Sequence, residues 1–378
     1  MGVDPASGAG QRGALDAPVV IDGSHGEGGG QILRSSLTLA VLTGRETCVE
    51  RIRAGRGRPG LRPQHLTAVR AAAALCRADV AGDELGSQTV RLRPRAPAQA
   101  GDYEFDVVEA AKGGSAGSTG LVLQTVLLPL AVSDGESHLT LHGGTHVAWA
   151  PSASYVRRVF LPTLGRAGVR AEAKVQRWGF YPLGGGTLEV QVQGRREGLV
   201  PLSLVNRGDV KRVWGIAAVT NLPSHIPQRM ANRARNALAE EGLDAQVEAR
   251  RLRGEGPGAG IFLFVEYEHI VAGFTAYGRK GLPAEQVAEA ACKELVHHHR
   301  TGAPVDPHLA DQLVIPMALA KGESRLYTSS VTRHLLTNAW VVRHFLDCEL
   351  QVEGAEGRPG TLVVEGHPPS RFEPAVAQ

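Results

Sequence analysis

The sequence is poor in cysteine, and its thiols are not paired by spacing. Cys48, Cys76, Cys292 and Cys348 are scattered over 378 residues with no CxxC among them. That excludes a zinc ribbon or a thioredoxin-type redox motif. Thiols this sparse suit a reducing cytosol better than a disulfide scaffold. Long apolar runs are also missing. The longest, Leu121 to Val132, contains Gln124 and Pro129 and falls short of the roughly 20 residues that span a bilayer. Residues 1–17 lack the apolar core of a signal peptide and read as a disordered tail. A cytoplasmic protein without a membrane partner is the expectation. Charge of one sign is not in excess either: Lys plus Arg is 41 and Asp plus Glu is 38, so the net charge is 41 − 38 = +3. This excludes a histone-like polybasic binder but leaves room for a local basic site. No GxxxxGK[ST] run occurs, and Gly26, Gly28 and Gly29 miss the G-x-G-x-x-G spacing, so neither a Walker A loop nor a Rossmann fingerprint is present.

What is abundant is glycine. It supplies 47 of 378 residues, against a usual share of roughly 7%. The excess has no collagen period. It falls in short clusters at 26–30, 113–120, 143–144 and 184–186, as expected where backbone turns sharply or lets a ligand approach. With 43% hydrophobic residues, the chain has ample material for two or three core units.

The order of elements repeats. Val19–Asp22 reads as a buried strand, Gln31–Leu42 as a helix closed by Gly44, and Thr47–Ile52 as a strand. Gln64–Cys76 follows as a helix, then strands at 79–81 and 89–92. The same grammar returns after the second glycine cluster, with helices at 121–132 and 151–167 and strands at 137–141 and 169–175. A third copy begins at His308, with helices at 309–320 and 335–345 and strands at 324–328, 349–352 and 361–364. The stretch 201–303 breaks this pattern and reads as a smaller inserted domain. It has strands at 210–220, 245–250 and 260–267, and helices at 228–241 and 283–300. A period of about 90–100 residues is too long for a solenoid and predicts a few α/β lobes.

Seven arginines lie between Arg51 and Ala78 with no Asp or Glu. Arg53, Arg56, Arg58 and Arg62 occupy a glycine-containing loop before a helix N-terminus. Guanidinium forks and free helix N–H groups both suit phosphate, so a local anion site is the favoured reading over a solvated loop. Glu27 sits within GSHGEGGGQILR beside these arginines, and could hold a divalent cation against phosphate oxygens; a surface turn is the equal alternative. His297, His298 and His299 resemble a metal cluster. Adjacent helix residues point to different faces, however, so a solvated surface is expected. His142 and His146 are expected to be structural.

Three segments together carry a resemblance: GEGGGQILR with IRAGRGRPGLRPQHL, then GSAGSTGLVLQT, then HLADQLVIPMALAKG followed by RHLLTN. From about Val19 to Val364 the chain resembles the RNA 3′-terminal phosphate cyclase family. The resemblance implies an α/β fold of α+β sandwich type, with repeated βαβαββ lobes forming a large catalytic domain (18–200 and 304–366). It also implies the smaller inserted α/β domain (201–303); residues 367–378, where the resemblance fades, read as a flexible tail. It implies ATP-dependent conversion of an RNA 3′-phosphate end to a 2′,3′-cyclic phosphodiester, through a histidine–AMP intermediate at His334. By motif position, Glu27 matches the metal-contacting acid, with Mg²⁺ or Mn²⁺ as the ion. Arg34, Arg53 and Arg56 match the basic residues around the triphosphate or RNA end. Gln64, His65 and Gln124 match further contact positions, and His308, Leu309, Ala310, Asp311 and Gln312 match the nucleotide-contacting run. The KxDG motif of lysine-dependent ligases is absent. Two alternatives stay open: a non-catalytic cyclase-like RNA-processing protein, and an enolpyruvyl-transferase-like enzyme built from similar lobes.

Overall fold

The computed structural model describes residues 18–107, 117–195 and 197–369. The expected tail at 1–17, the glycines at 113–116 and the last residues from 370 lie outside them. The first lobe runs β1 (Val19–Asp22), α1 (Gly30–Thr43), β2 (Thr47–Glu50), α2 (Pro63–Cys76), β3 (Asp79–Ala81) and β4 (Val90–Arg93). Helix α1 buries Ile32, Leu33, Leu37 and Leu39. It ends where Gly44 turns left-handed, at φ +66°, and donates its N–H to the Ala40 carbonyl, the usual role of a glycine after a helix. Helix α2 opens with Pro63, whose missing N–H is harmless in a first turn.

The second lobe runs β5 (Asp102–Asp106), α3 (Thr119–Ala131), β6 (Gly135–Gly143), α4 (Ala153–Arg166), β7 (Arg170–Arg177) and β8 (Gly186–Gly194). Its end strands, β5 and β8, go beyond the sequence reading. The alternation of buried Leu188, Val190 and Val192 is a legible strand signal, and so is that of Tyr103 and Phe105 with the acids of β5. Within α4, residues Val156–Phe160 are π-helical. Pro162 has no N–H to give the Arg158 carbonyl, so the regular ladder cannot continue there.

The third lobe starts earlier than expected. Its first strand is β9 (Ser203–Leu204), which pairs in parallel with β14 (Gly322–Thr328), although these residues fall in the span read as insert. The lobe resumes only with α7 (Pro307–Leu319), then β14, α8 (Arg333–Phe345), β15 (Glu349–Glu353) and β16 (Gly360–Gly366). A two-residue strand carries no periodicity, which is why the sequence hides it. The sheet orders are β1-β2-β4-β3, β5-β6-β8-β7 and β9-β14-β16-β15. All three lobes therefore share one topology, with the first two strands parallel.

Between β9 and α7 the chain forms a further sheet, β11-β10-β12-β13, from β10 (Val210–Thr220), β11 (Ala245–Leu252), β12 (Gly258–Tyr267) and β13 (Val271–Tyr277). It carries helices α5 (His225–Ala239) and α6 (Ala284–Thr301). Strand β13 is a further addition to the sequence reading. Helix α1 packs against α2, α3 and α8, and α7 packs against α8, so helices of the three lobes meet around one core. Among the described residues no helix is long and apolar enough to cross a membrane.

The histidine run needs one correction. His297 is exposed, but His298 is buried and its Nδ1 lies 3.0 Å from Ser329 Oγ. His299 stacks on Tyr267. The three side chains do diverge, and His298 is a core residue, not a solvated one. His146 is fully buried, stacked 3.7 Å from Trp178 and bonded to Ser154 at 2.9 Å.

Candidate active site

A cavity of about 900 Å³ opens where the three lobes meet the inserted sheet. Its wall draws on the loop before α1, on α1 itself, on α3, α4 and β13, and on the first turns of α2, α7 and α8. Three of these helices turn their N-termini toward it, each lending the positive end of a dipole.

Glu27 stands between two left-handed glycines, Gly26 and Gly28, both at φ +58°. That backbone would strain any other residue type. The tight turn it makes presents the Glu27 carboxylate to Arg56, with which it forms an ion pair, and to His334. Nδ1 of His334 lies 2.8 Å from Glu27 Oε2, but the approach is out of line for a hydrogen bond and the nitrogen has no aligned partner. His334 is in the first turn of α8, where the Thr332 side chain caps the helix by accepting the Leu335 N–H at 2.9 Å. Burial, followed by the positive field of Arg34, His308 and Arg56, pulls its imidazole down to about 4. The ring is therefore neutral, and nucleophilic, at pH 7.

The basic groups are held in different ways. Arg34 is deep, and burial pulls its guanidinium down to about 10. Arg53 adopts a left-handed backbone and returns its guanidinium to its own loop, on the carbonyls of Arg58 at 2.6 Å and Gly60 at 3.2 Å. His65 accepts the Arg62 N–H through Nδ1 at 3.2 Å. Burial, with Arg34, Arg53 and Arg62 nearby, pulls it to about 3, so it stays neutral.

A buried polar network sets the floor. The Ser35 hydroxyl donates to Asn338 Oδ1 at 2.6 Å, and Asn338 Nδ2 donates to the Asp311 carbonyl at 2.7 Å. The Thr332 hydroxyl donates to the Asp311 carboxylate. This ties α1, α7 and α8 together beneath His334. Burial pushes the Asp311 carboxyl well up, against the pull of Thr332. Fully buried Asp306 caps α7 and accepts the Tyr155 hydroxyl at 2.8 Å. It thereby joins the second lobe to the third.

Most of the sequence candidates converge here. Glu27, Arg34, Arg53, Arg56, Gln64, His65, Gln124, His308, Asp311, Gln312 and His334 all line the cavity. Leu309 and Ala310 do not: both are completely buried, because consecutive residues on α7 cannot all face one side. Sequence reading missed Thr332, Asn338, Tyr155 and Trp149. Trp149 stands at the cavity rim, fully exposed, on a left-handed backbone. The Thr332–Leu335 cap was legible as a Ser/Thr before a helix; the others carry no local signal.

Among the described residues no group of three His, Cys, Asp or Glu side chains could hold a metal by itself. Glu27 offers a single carboxylate, already paired with Arg56, so an ion there would have to take its remaining ligands from phosphate oxygens and water.

The profile of the RNA 3′-terminal phosphate cyclase family matches residues 25–352. A protein of that name from Trichormus variabilis is 53% identical over 89% of this chain and 96% of its own length. Another, from Methylococcus capsulatus, is 52% identical over 92% of this chain and 96% of its own. One from the more distant Pyrobaculum neutrophilum is 42% identical over 92% and 98%.

Proposed function

This chain belongs to the RNA 3′-terminal phosphate cyclase family, and we propose that it converts RNA 3′-phosphate ends to 2′,3′-cyclic phosphodiesters at the expense of ATP, with His334 as nucleophile. The observation that carries this reading is a neutral histidine on a cavity wall rich in arginine and beside one carboxylate. The Glu27 carboxylate favours the proton on Nδ1, which leaves the Nε2 lone pair free to attack.

Three displacements follow, and each balances. Nε2 attacks the α-phosphorus of ATP, and pyrophosphate leaves. An oxygen of the RNA 3′-phosphate attacks the same phosphorus, and the imidazole leaves, neutral once more. The 2′-hydroxyl attacks the 3′-phosphorus and gives its proton to water, and AMP departs. The second step gives the RNA phosphate a leaving group it otherwise lacks. The third is intramolecular between vicinal groups, which favours closure and restricts the reaction to RNA, since DNA has no 2′-hydroxyl. Arg34, Arg53 and Arg56 are read as binding phosphate oxygens. Gln124, His308, Asp311 and Gln312 are read as contacting the nucleotide. A divalent ion held by Glu27 would neutralise charge building on the triphosphate.

Residues 18–204 and 304–366 are read as the catalytic unit, to whose cavity β13 of the inserted domain adds one wall, in a cytoplasmic protein of RNA repair or processing. The test uses ATP labelled at its α-phosphate. An acid-labile, alkali-stable AMP adduct is expected on the wild-type protein with Mg²⁺ or Mn²⁺, and none on His334→Ala. No adduct on the wild type would sink the proposal.

A further inference from the structure

A second cavity, about 380 Å³, shares the π-helical segment of α4 with the first: Phe160 lines the large cavity and Arg158 the small one. The rest of its wall comes from the inserted domain. Arg212 and Trp214 stand on β10, Glu248 and Arg250 on β11, and Arg235 on α5. The guanidinium carbons of Arg158 and Arg212 lie 5.1 and 5.5 Å from the centre of the Trp214 ring. Arg212 has a counter-ion in Glu266 at 2.6 Å, and Arg250 is bonded to Glu248. Arg158 has no carboxylate partner among the described residues, nor has its neighbour Arg157. The indole N–H of Trp214 is buried with no acceptor.

Two guanidinium groups lie over one ring and one of them, Arg158, has no carboxylate beside it, so the cleft keeps an uncompensated positive charge that favours an anion. Arg158, Arg212 and Arg250 come from three separate elements, so the cluster is a product of the tertiary fold. Guanidinium forks match phosphate oxygens bidentately, and an aromatic face among them is the pattern of single-stranded nucleic-acid sites. The cleft is open to solvent. That shape suits a chain of phosphodiesters better than one enclosed small anion.

We propose that this cleft binds the phosphodiester backbone of single-stranded RNA, upstream of the end whose terminal phosphate enters the large cavity. This rests on the reading of RNA ends as the substrate. The test avoids catalysis. A fluorescent RNA of about ten nucleotides with a 3′-hydroxyl is titrated with wild-type protein and with Arg158→Gln/Arg250→Gln, without ATP, at several salt concentrations. Anisotropy should report about a tenfold weaker Kd for the variant, and a log–log salt slope shallower by roughly one to two. AMP-adduct formation should be unchanged, which shows that the variant folds. An unchanged Kd and slope would overturn the cleft proposal even if the adduct forms. So would a variant that loses binding of inorganic phosphate while keeping its affinity for RNA. A wild-type protein that makes no adduct would remove the cyclase reading and leave this comparison decisive for the cleft.

Discussion

The imidazole of His65 occupies the space where a side chain on Gly30 would begin. A β-carbon there would fall inside the contact distance of Nε2 and close to the Arg34 guanidinium. Gly30 opens α1 and His65 lies in the first turn of α2. The contact therefore fixes how closely the two helix N-termini approach beside the cavity.

Gly30→Ala should accordingly destabilise the fold by about 1–3 kcal/mol, the usual cost of overpacking. It should also reduce AMP-adduct formation. In a double-mutant cycle with His65→Ala, the two changes should be strongly non-additive, because the second removes what the first collides with. Additive melting-temperature shifts would count against the contact.

Asn338 bridges Ser35 and the Asp311 carbonyl inside the protein. Asn338→Ala strands both partners, and each unpaired buried group costs about 1–3 kcal/mol. Urea unfolding should show a loss in that range. Asn338→Asp should be no better, since a carboxylate cannot donate to the Asp311 carbonyl.

Glu27 faces Nδ1 of His334 at 2.8 Å. Glu27→Gln keeps the shape but removes the charge that faces the imidazole. Adduct formation from α-labelled ATP should slow by at least about tenfold, with the melting temperature preserved. A rate equal to wild type would show that the carboxylate has no part in activation.

His334 is pulled down to about 4 by burial and by Arg34, His308 and Arg56. In NMR titration its ring should remain neutral well below 6.5, the value of a free imidazole. Adduct formation should thus not decline on its account until pH approaches 5. Arg34→Gln should move the midpoint upward, since one repelling cation is gone. A wild-type midpoint near 6.5 would refute the electrostatic picture.

His65, His146 and His298 are pulled to about 3, in each case first by burial. Their folded values lie below the unfolded one, so the unfolded chain takes up protons that the folded state refuses. Stability is fully present above about pH 6.5 and falls as pH drops from there toward 3. The slope is about 1.4 kcal/mol per pH unit for each group. Calorimetry between pH 7 and 5 should show a falling melting temperature, and His146→Gln should make the fall shallower.

Much of the lobe architecture was readable because its helices carry regular apolar spacing and end at glycine, as at Leu37, Leu39 and Gly44. Strand β9 was not readable: it has only two residues, and its partner strand begins more than a hundred positions later. The catalytic candidates were visible as ordered motifs. Their surroundings were not, because Thr332, Asn338 and Tyr155 are ordinary residue types whose role lies in what they touch.

By itself, then, the sequence determined most of the helices and many of the strands, the glycine turn around Glu27, the acid-free arginine loop and the motif containing His334. These are local properties, set by backbone preference and by charge along the chain. The tertiary structure decided the rest. It brought helix N-termini from the first and third lobes to one cavity, left Leu309 and Ala310 in the core, buried His298, and lowered the proton affinity of His334. It also set Arg158 and Arg212 over Trp214, in a cleft that Arg250 shares. Desolvation and the mutual field of charges depend on distances through space, and only the folded chain sets those distances.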